Sequence, residues 1–293
     1  EPTDYLSPAK INQSMNILNR VLAGETGELG VDTKIRFRPA LTNPISYCDQ
    51  NYYGITYNTY NGENNINLDP SVTYPGSIYF PSTNNSVIND YYDTFSPYQY
   101  VNIWVFEEIV YNGTDEVFGI TSSPCLSDVN IPMIGLIKDV VGENEHLRSR
   151  RLGYCVAHEM GHYFGLLHAW IESVTVPHVT ENDNIEYVTC DVTDGIPDTP
   201  DAPGPVTGCD YSQLSRIPYD NIMSYTPDGC RYRFTNDQAT HMRRSICETF
   251  GNYIEATNIA TVTPQEDILD MRIISPVSTI LCSNNYSVTL RLT

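Results

Sequence analysis

The chain has 293 residues, with 16 Lys plus Arg against 36 Asp plus Glu, for a formal net charge of −20. That balance argues against nucleic acid as a partner, which needs a basic footprint, and no apolar run approaches the ~18 residues of a membrane-spanning helix. With 41% hydrophobic and 11% aromatic residues, the composition is globular, with core enough for one large domain or two smaller ones. The acidity suits calcium or basic substrates, and solubility explains it equally well. Eight cysteines, at 48, 125, 155, 190, 209, 230, 247 and 282, include no C-x-x-C pair. They suit scattered disulfides in an oxidising compartment better than a zinc ribbon. The chain starts at Glu1 with no signal peptide, as a mature or trimmed fragment would, and it reads as exported.

In chain order, residues 9–22 place Ile11, Met15, Leu18 and Leu22 at helical spacing, with Ser7-Pro8 as cap and first turn. Residues 34–39 alternate Ile35 and Phe37 with charge, as a half-buried strand does. Residues 43–77 are rich in Asn, Tyr, Gly and Pro and read as loop with short strands. Strands follow at 76–80, 100–106, 117–123 and 133–141, for a sheet of about five strands, with 117–123 expected at its edge. Residues 171–220 show little periodicity, so this part is expected to be loop that needs ions or disulfides for order. Residues 235–250 form a helix capped by Thr235 or Asn236. The expected organisation is a domain over 1–253, with 254–293 as a β-rich tail or the start of a further β module.

The stretch 148–170 carries the chemistry. His158, Glu159, His162, Gly165 and His168 spell H-E-x-x-H-x-x-G-x-x-H. Residues four apart share a helix face, so His158 and His162 can address one metal ion. Gly165 can leave the helix with positive φ and return His168 as third ligand. Three neutral imidazoles plus water make a tetrahedral zinc site with an open position, and Glu159 stands beside that water as general base. An ordinary amphipathic helix is the competing reading. The stripe Leu152, Val156, Met160, Phe164 and Leu167 fits it, but a buried zinc helix needs that stripe as well.

Some 55 residues on, Asn221-Ile222-Met223-Ser224-Tyr225 resembles the Met-turn of metzincins, which sets a methionine beneath the zinc site. Tyr225 can reach the metal face and donate to a developing oxyanion. Residues 189–201, T-C-D-V-T-D-G-I-P-D-T-P-D, then Gly208-Cys209, then this turn, resemble the pappalysin family of metzincins over roughly residues 11–250. The resemblance implies an α+β fold: a twisted mixed five-stranded sheet with a backing helix and the zinc helix above, and a loop-rich lower part with the Met-turn and last helix. It implies zinc on His158, His162 and His168, Glu159 as base, Met223 as the Met-turn residue and Tyr225 as transition-state stabiliser. It also implies structural calcium on Asp194, Thr199 and the carbonyls near Ile196 and Pro197, and a disulfide Cys190–Cys209.

The sequence departs from the family pattern twice. A cysteine that relatives carry before Gly208-Cys209, partner to the one at Cys230, is missing, so Cys230 is expected to pair with Cys247. Relatives that prefer basic substrates carry an acid where Gly229 stands, and Asp228 is the expected substitute, meeting Arg or Lys just after the scissile bond. The expected function is a secreted zinc endopeptidase acting on proteins or peptides. The alternative is an inactive metal-binding or adhesion protein on the same scaffold, against which the intact Glu159 argues.

Overall fold

The computed structural model describes residues 6–40, 45–55, 100–106, 109–111, 115–122, 133–143, 153–179, 185–209, 217–250 and 288–289. Helix α1, Pro8–Leu22, begins where the Ser7 hydroxyl accepts from the Lys10 N–H at 3.3 Å and Pro8 occupies the first turn, a position that needs no N–H donor. Its buried face is Ile17, Leu18, Val21 and Leu22, while Ile11 and Met15 lean on the same core half-buried. Beyond it, β1 (Ile35–Arg36) leads to Phe37, which α1 holds directly. Asn19 Nδ2 donates to the Phe37 carbonyl and Asn19 Oδ1 accepts the Phe37 N–H, both at 2.7 Å. One side-chain amide thus satisfies both backbone groups of a buried residue, as a neighbouring strand would.

Two short hairpins follow, β2 (Ile45–Tyr47) with β3 (Gln50–Tyr52), and β5 (Val110–Tyr111) with β6 (Asp115–Glu116). Between and after them lie β4 (Ile103–Phe106), β7 (Gly119–Ser122) and β8 (Met133–Ile137), which make a mixed sheet in the order β4-β8-β7. The sheet has β4 parallel and β7 antiparallel to β8. Central β8, Met-Ile-Gly-Leu-Ile, is buried nearly throughout, the pattern of a strand covered on both faces. Among the described residues the sheet has three strands rather than about five. The 76–80 segment lies outside the described residues, and β1 pairs in parallel with β11 (Val288–Thr289) instead of joining the sheet. As expected, β7 is the edge strand among the described residues.

Helix α2, Cys155–Tyr163, runs through the middle of the molecule, with every residue but His162 buried. A helix covered on all sides belongs inside a core, and one apolar cluster joins it to α1, β8, Met223, Phe234 and the last helix. In the expected stripe Val156, Met160 and Phe164 are buried, but Leu167 is 47% exposed. Leu166 takes the interior place because the chain has already turned out of the helix, and Leu152 lies outside the described residues.

The region after α2 is more regular than expected. Strands β9 (Glu172–Val179) and β10 (Ile185–Val192) form an antiparallel ribbon paired from Val192–Glu172 to Val179–Ile185. Its β-branched residues favour extended backbone. Pro177 reads locally as a breaker, yet a two-stranded ribbon is all edge, where proline is tolerated. Helix α3, Asn236–Phe250, closes the fold. Residues 254–287 and 290–293 of the expected tail lie outside the described residues.

Asn19→Ala leaves the Phe37 N–H and carbonyl buried without partners. The unfolding free energy in urea should fall by about 1–3 kcal/mol, and Asn19→Asp, which can only accept, should recover part of that loss.

Candidate active site

On α2 His158 and His162 leave the same helix face. After Phe164, Gly165 adopts φ 85°, the left-handed conformation a glycine enters freely, and His168 returns to join them. The rings converge: His162 Nε2 lies 3.2 Å from His158 Nε2 and 3.1 Å from His168 Nε2. The opposite nitrogens are all engaged. His158 Nδ1–H donates to the Ile222 carbonyl at 2.8 Å, His162 Nδ1–H to the Leu166 carbonyl at 2.7 Å, and His168 Nδ1–H to the Glu172 carboxylate.

A carbonyl only accepts, so His158 and His162 carry their proton on Nδ1 and present a lone pair at Nε2. Burial first, then neighbouring charge, pushes His162 down to about 3 and His158 well below the ordinary imidazole value, so both stay neutral. Lone pairs facing one another at this range repel, and a cation among them removes the conflict. Three neutral imidazoles are a zinc donor set, and among the described residues this is the one cluster of His, Cys, Asp and Glu side chains with that geometry.

Glu159, 6% exposed, accepts the Thr121 hydroxyl on Oε2 at 2.6 Å. Burial pushes its carboxyl up to about 7, against the Thr121 hydrogen bond and the Arg231 charge, which pull it down. Tyr225 is 51% exposed, its ring 5.8 Å from that of His158 and 4.8 Å from that of His168. Burial of its inner side, then the charges of Glu159 and Glu172, push the phenol up to about 12, so it remains a donor at neutral pH. Trp170 stacks flat on His168 at 4.2 Å and meets Tyr225 at 4.6 Å.

Met223 is fully buried against α2. A Cβ at Gly161 would stand 2.4 Å from its sulfur, so that close approach needs glycine. Asn221 Oδ1 accepts the Met223 N–H at 2.8 Å, and the Asn221 and Gln238 side chains exchange amide hydrogen bonds of 2.9 and 3.1 Å. Gln238 also accepts the Thr235 N–H while the Thr235 hydroxyl accepts the Gln238 N–H. This is a capping box at the start of α3. The spacing Thr235-x-x-Gln238 announces it in the sequence; the link to Asn221 has no local signal. The parts of the site that the sequence reading missed are Thr121, Glu172, Trp170, Asn221, Arg231 and Gln238. Thr121 and Arg231 act on Glu159 across large separations, whereas Trp170, Glu172, Asn221 and Gln238 each lie within four residues of a group that they serve and only their further partners are distant.

Asp228, expected to meet a basic substrate residue, has its carboxylate buried and paired within the protein. Its Oδ1 pairs with Arg231 at 2.8 and 3.1 Å, and its Oδ2 accepts the Tyr154 N–H at 3.3 Å, at the start of α2. A carboxylate there meets orphan N–H groups and the positive end of the helix dipole. Arg231 in turn donates to the Ser224 carbonyl at 3.0 Å. The disulfides also differ from expectation. Cys209 is bonded to Cys230, with Cα atoms 5.7 Å apart, and this replaces both Cys190–Cys209 and Cys230–Cys247. The turn at Pro227, where the Cys230 N–H donates to the Pro227 carbonyl at 2.8 Å, brings Cys230 within bridging reach of Cys209. Cys190 is instead held opposite Val174 in the ribbon, and Cys247 lies in the last turns of α3. Cys155 is a buried thiol of the main core.

Asp194 Oδ1 accepts the Ile196 N–H at 3.0 Å, while Asp194 Oδ2 and Thr199 Oγ1 are buried with no hydrogen-bond partner. Burial first, with Asp201 and Asp198 adding to it, pushes Asp194 up to about 6, against the Ile196 N–H and the nearby Thr199 hydroxyl, which falls short of a full hydrogen bond.

A family model for peptidase M43, described as pregnancy-associated plasma protein-A, matches residues 82–247, more than half the chain. The chain belongs to this family, the pappalysins. An extracellular metalloprotease of Colletotrichum graminicola is 33% identical over 97 residues, 31% of this chain and 29% of that relative, so the chain matches under a third of its length. A Tannerella forsythia promirolysin mutant aligns with TM-score 0.55 at 22% identity, over 83% of this chain and 75% of that one. Mature mirolysin in complex with a cleaved peptide gives 0.53 at 21%, over 83% and 86%. These likenesses show the α+β metzincin fold. No helix among the described residues is long and apolar enough to cross a membrane.

Because the Asp228–Arg231 pair of this pappalysin is buried, Asp228→Ala strands a guanidinium inside the protein. Its expected effect is a loss of about 3–5 kcal/mol in stability, read by chemical denaturation. Preference among peptide substrates, read by library profiling, should not change.

Proposed function

We propose that this pappalysin is a secreted zinc endopeptidase that hydrolyses internal peptide bonds. The observation that carries this reading is the set of converging Nε2 atoms, each backed by an engaged Nδ1, beside the buried carboxylate of Glu159. When bound, zinc would be held by His158, His162 and His168; it polarises a scissile carbonyl and acidifies a nearby water. Glu159 accepts the proton of the attacking water and passes it to the leaving amine. Tyr225, a neutral phenol open to solvent on one side, donates to the oxyanion. The open edge of β7 holds an extended peptide by strand addition, and the cleaved peptide in the mirolysin structure supports peptides as the substrate class. The catalytic unit spans residues 1–253, and residues 254–293 are a β-rich tail or the start of a further β module, from which β11 pairs with β1.

Glu159→Ala should keep zinc and fold and lose about 10²- to 10⁴-fold in casein hydrolysis. Stoichiometric zinc with wild-type turnover in that variant would sink the mechanism. A wild-type protein inactive with or without chelator would identify an inactive scaffold instead.

A calcium ion on Asp194, Thr199 and the carbonyls of Ile196 and Pro197 fits the two partnerless buried oxygens and the all-oxygen donor set. Saturating calcium should raise thermal stability by a few kcal/mol, about RT ln(1 + [L]/Kd). A Tm unchanged between calcium and a calcium-selective chelator rejects the site. A preference for Arg or Lys after the cut rests on the charge of −20, which draws basic peptides to the surface, and not on Asp228. Cuts dominated by apolar residues at that position would refute it.

A further inference from the structure

The edge strand β7 does more than border the sheet. Gly119 and Thr121 stand two apart on it, so they face the same way, and both face Glu159. The Thr121 hydroxyl lies 2.6 Å from Glu159 Oε2 and 3.0 Å from the Glu159 main-chain oxygen. It has one proton. The carbonyl belongs to the hydrogen-bond ladder of α2, whereas the carboxylate offers charge and the shorter contact, in the range of a charge-assisted O–H···O⁻ bond. The proton therefore goes to Oε2. On the other side of the carboxylate, a Cβ at Gly119 would stand 2.5 Å from Oε1 and 2.7 Å from Glu159 Cγ. The missing side chain of Gly119 is the slot in which the carboxylate lies. Both Thr121 and Glu159 are buried, so water does not compete for the bond.

We propose that Thr121 is a positioning residue for the proton acceptor Glu159: its hydroxyl anchors Oε2, so that Oε1 lies along the Gly119 slot and is left to take the proton. The inference rests on the proteolytic reading, and it assigns β7 a second task beside holding the peptide. The strand that aligns the scissile bond also aligns the base. Registration between the two is then set by β7 itself, through a residue 38 positions from Glu159 in the chain.

The test compares Thr121→Val, which keeps the shape and removes the donor, with Thr121→Ser, which keeps the donor and removes a methyl. Steady-state hydrolysis of a fluorogenic peptide is read with zinc content and Tm of each protein. The expected result is a kcat about 10- to 100-fold lower in Thr121→Val, KM within a few-fold of wild type, zinc stoichiometric, and most of kcat restored in Thr121→Ser. Wild-type kcat in Thr121→Val, equal impairment of both variants, or a loss confined to KM would each overturn the proposal. Should Thr121→Val fail to fold, Gly119→Ala decides. With Thr121 intact it should lower kcat comparably by displacing the carboxylate, and an unchanged kcat overturns the slot. A wild-type protein inactive on every peptide would fail the proteolytic reading alone. Crystal structures of wild type and Thr121→Val still test the anchor, expected to show Glu159 displaced from β7 in the variant; an unmoved carboxylate overturns it.

Discussion

The Nε2 atoms of His158 and His168 are each held within 3.2 Å of His162 Nε2 because each ring is gripped from behind. The grips come from separate parts of the chain: the Met-turn carbonyl of Ile222, the Leu166 carbonyl just past the helix, and the Glu172 carboxylate where the ribbon begins. Each hydrogen bond fixes a ring's orientation, and the two carbonyls fix its tautomer as well, so the lone pairs are aimed before any ion arrives. Such outer partners set ligand basicity as well as geometry. The rest of the fold can be read as what keeps these three acceptors in place.

The Met-turn grip depends on α3. Asn221 uses its side-chain oxygen twice, toward Met223 and Gln238, and Gln238 uses its oxygen twice, toward Asn221 and Thr235. Every lone pair of the amide pair is thereby spent, which suits a buried polar network, costly when half satisfied. Arg231 adds a second brace through the Ser224 carbonyl and Asp228, and the Cys209–Cys230 bond fastens the same loop. Asp228 reaches from this loop to the first turn of α2. This loop and the helix are therefore tied by one buried carboxylate.

Around the three histidines burial and exposure differ from group to group. Glu159 is enclosed, and burial pushes its carboxyl up to about 7. Tyr225 is open on one side and keeps its proton. Trp170 bridges His168 and Tyr225, and belongs to a small separate core with Ala202, Val206 and Tyr219. Through it the loop carrying Asp194 and Thr199 is packed against the aromatic side of the site.

Much of this was legible in the residues alone. The spacing of His158, His162 and His168 follows from 3.6 residues per turn plus one glycine at positive φ, and Ser7-Pro8 marks the start of α1, because these signals are local and a few neighbouring residues suffice to produce them. The segment after α2 was misjudged for the same reason: Pro177 is a breaker locally, and only pairing with β10 makes it part of a ribbon. Asp228 could equally face solvent or a helix end, and its partner Tyr154 lies 74 positions away. The cysteines had too many possible pairings for sequence to choose among, and the turn at Pro227 chose. Thr121 is an ordinary strand threonine until β7 is laid against α2. The sequence by itself determined which chemical groups the protein owns and the order of its local turns and helices. The tertiary structure alone decided which polar groups meet, since burial leaves each of them stable only where a distant partner completes its hydrogen bonds.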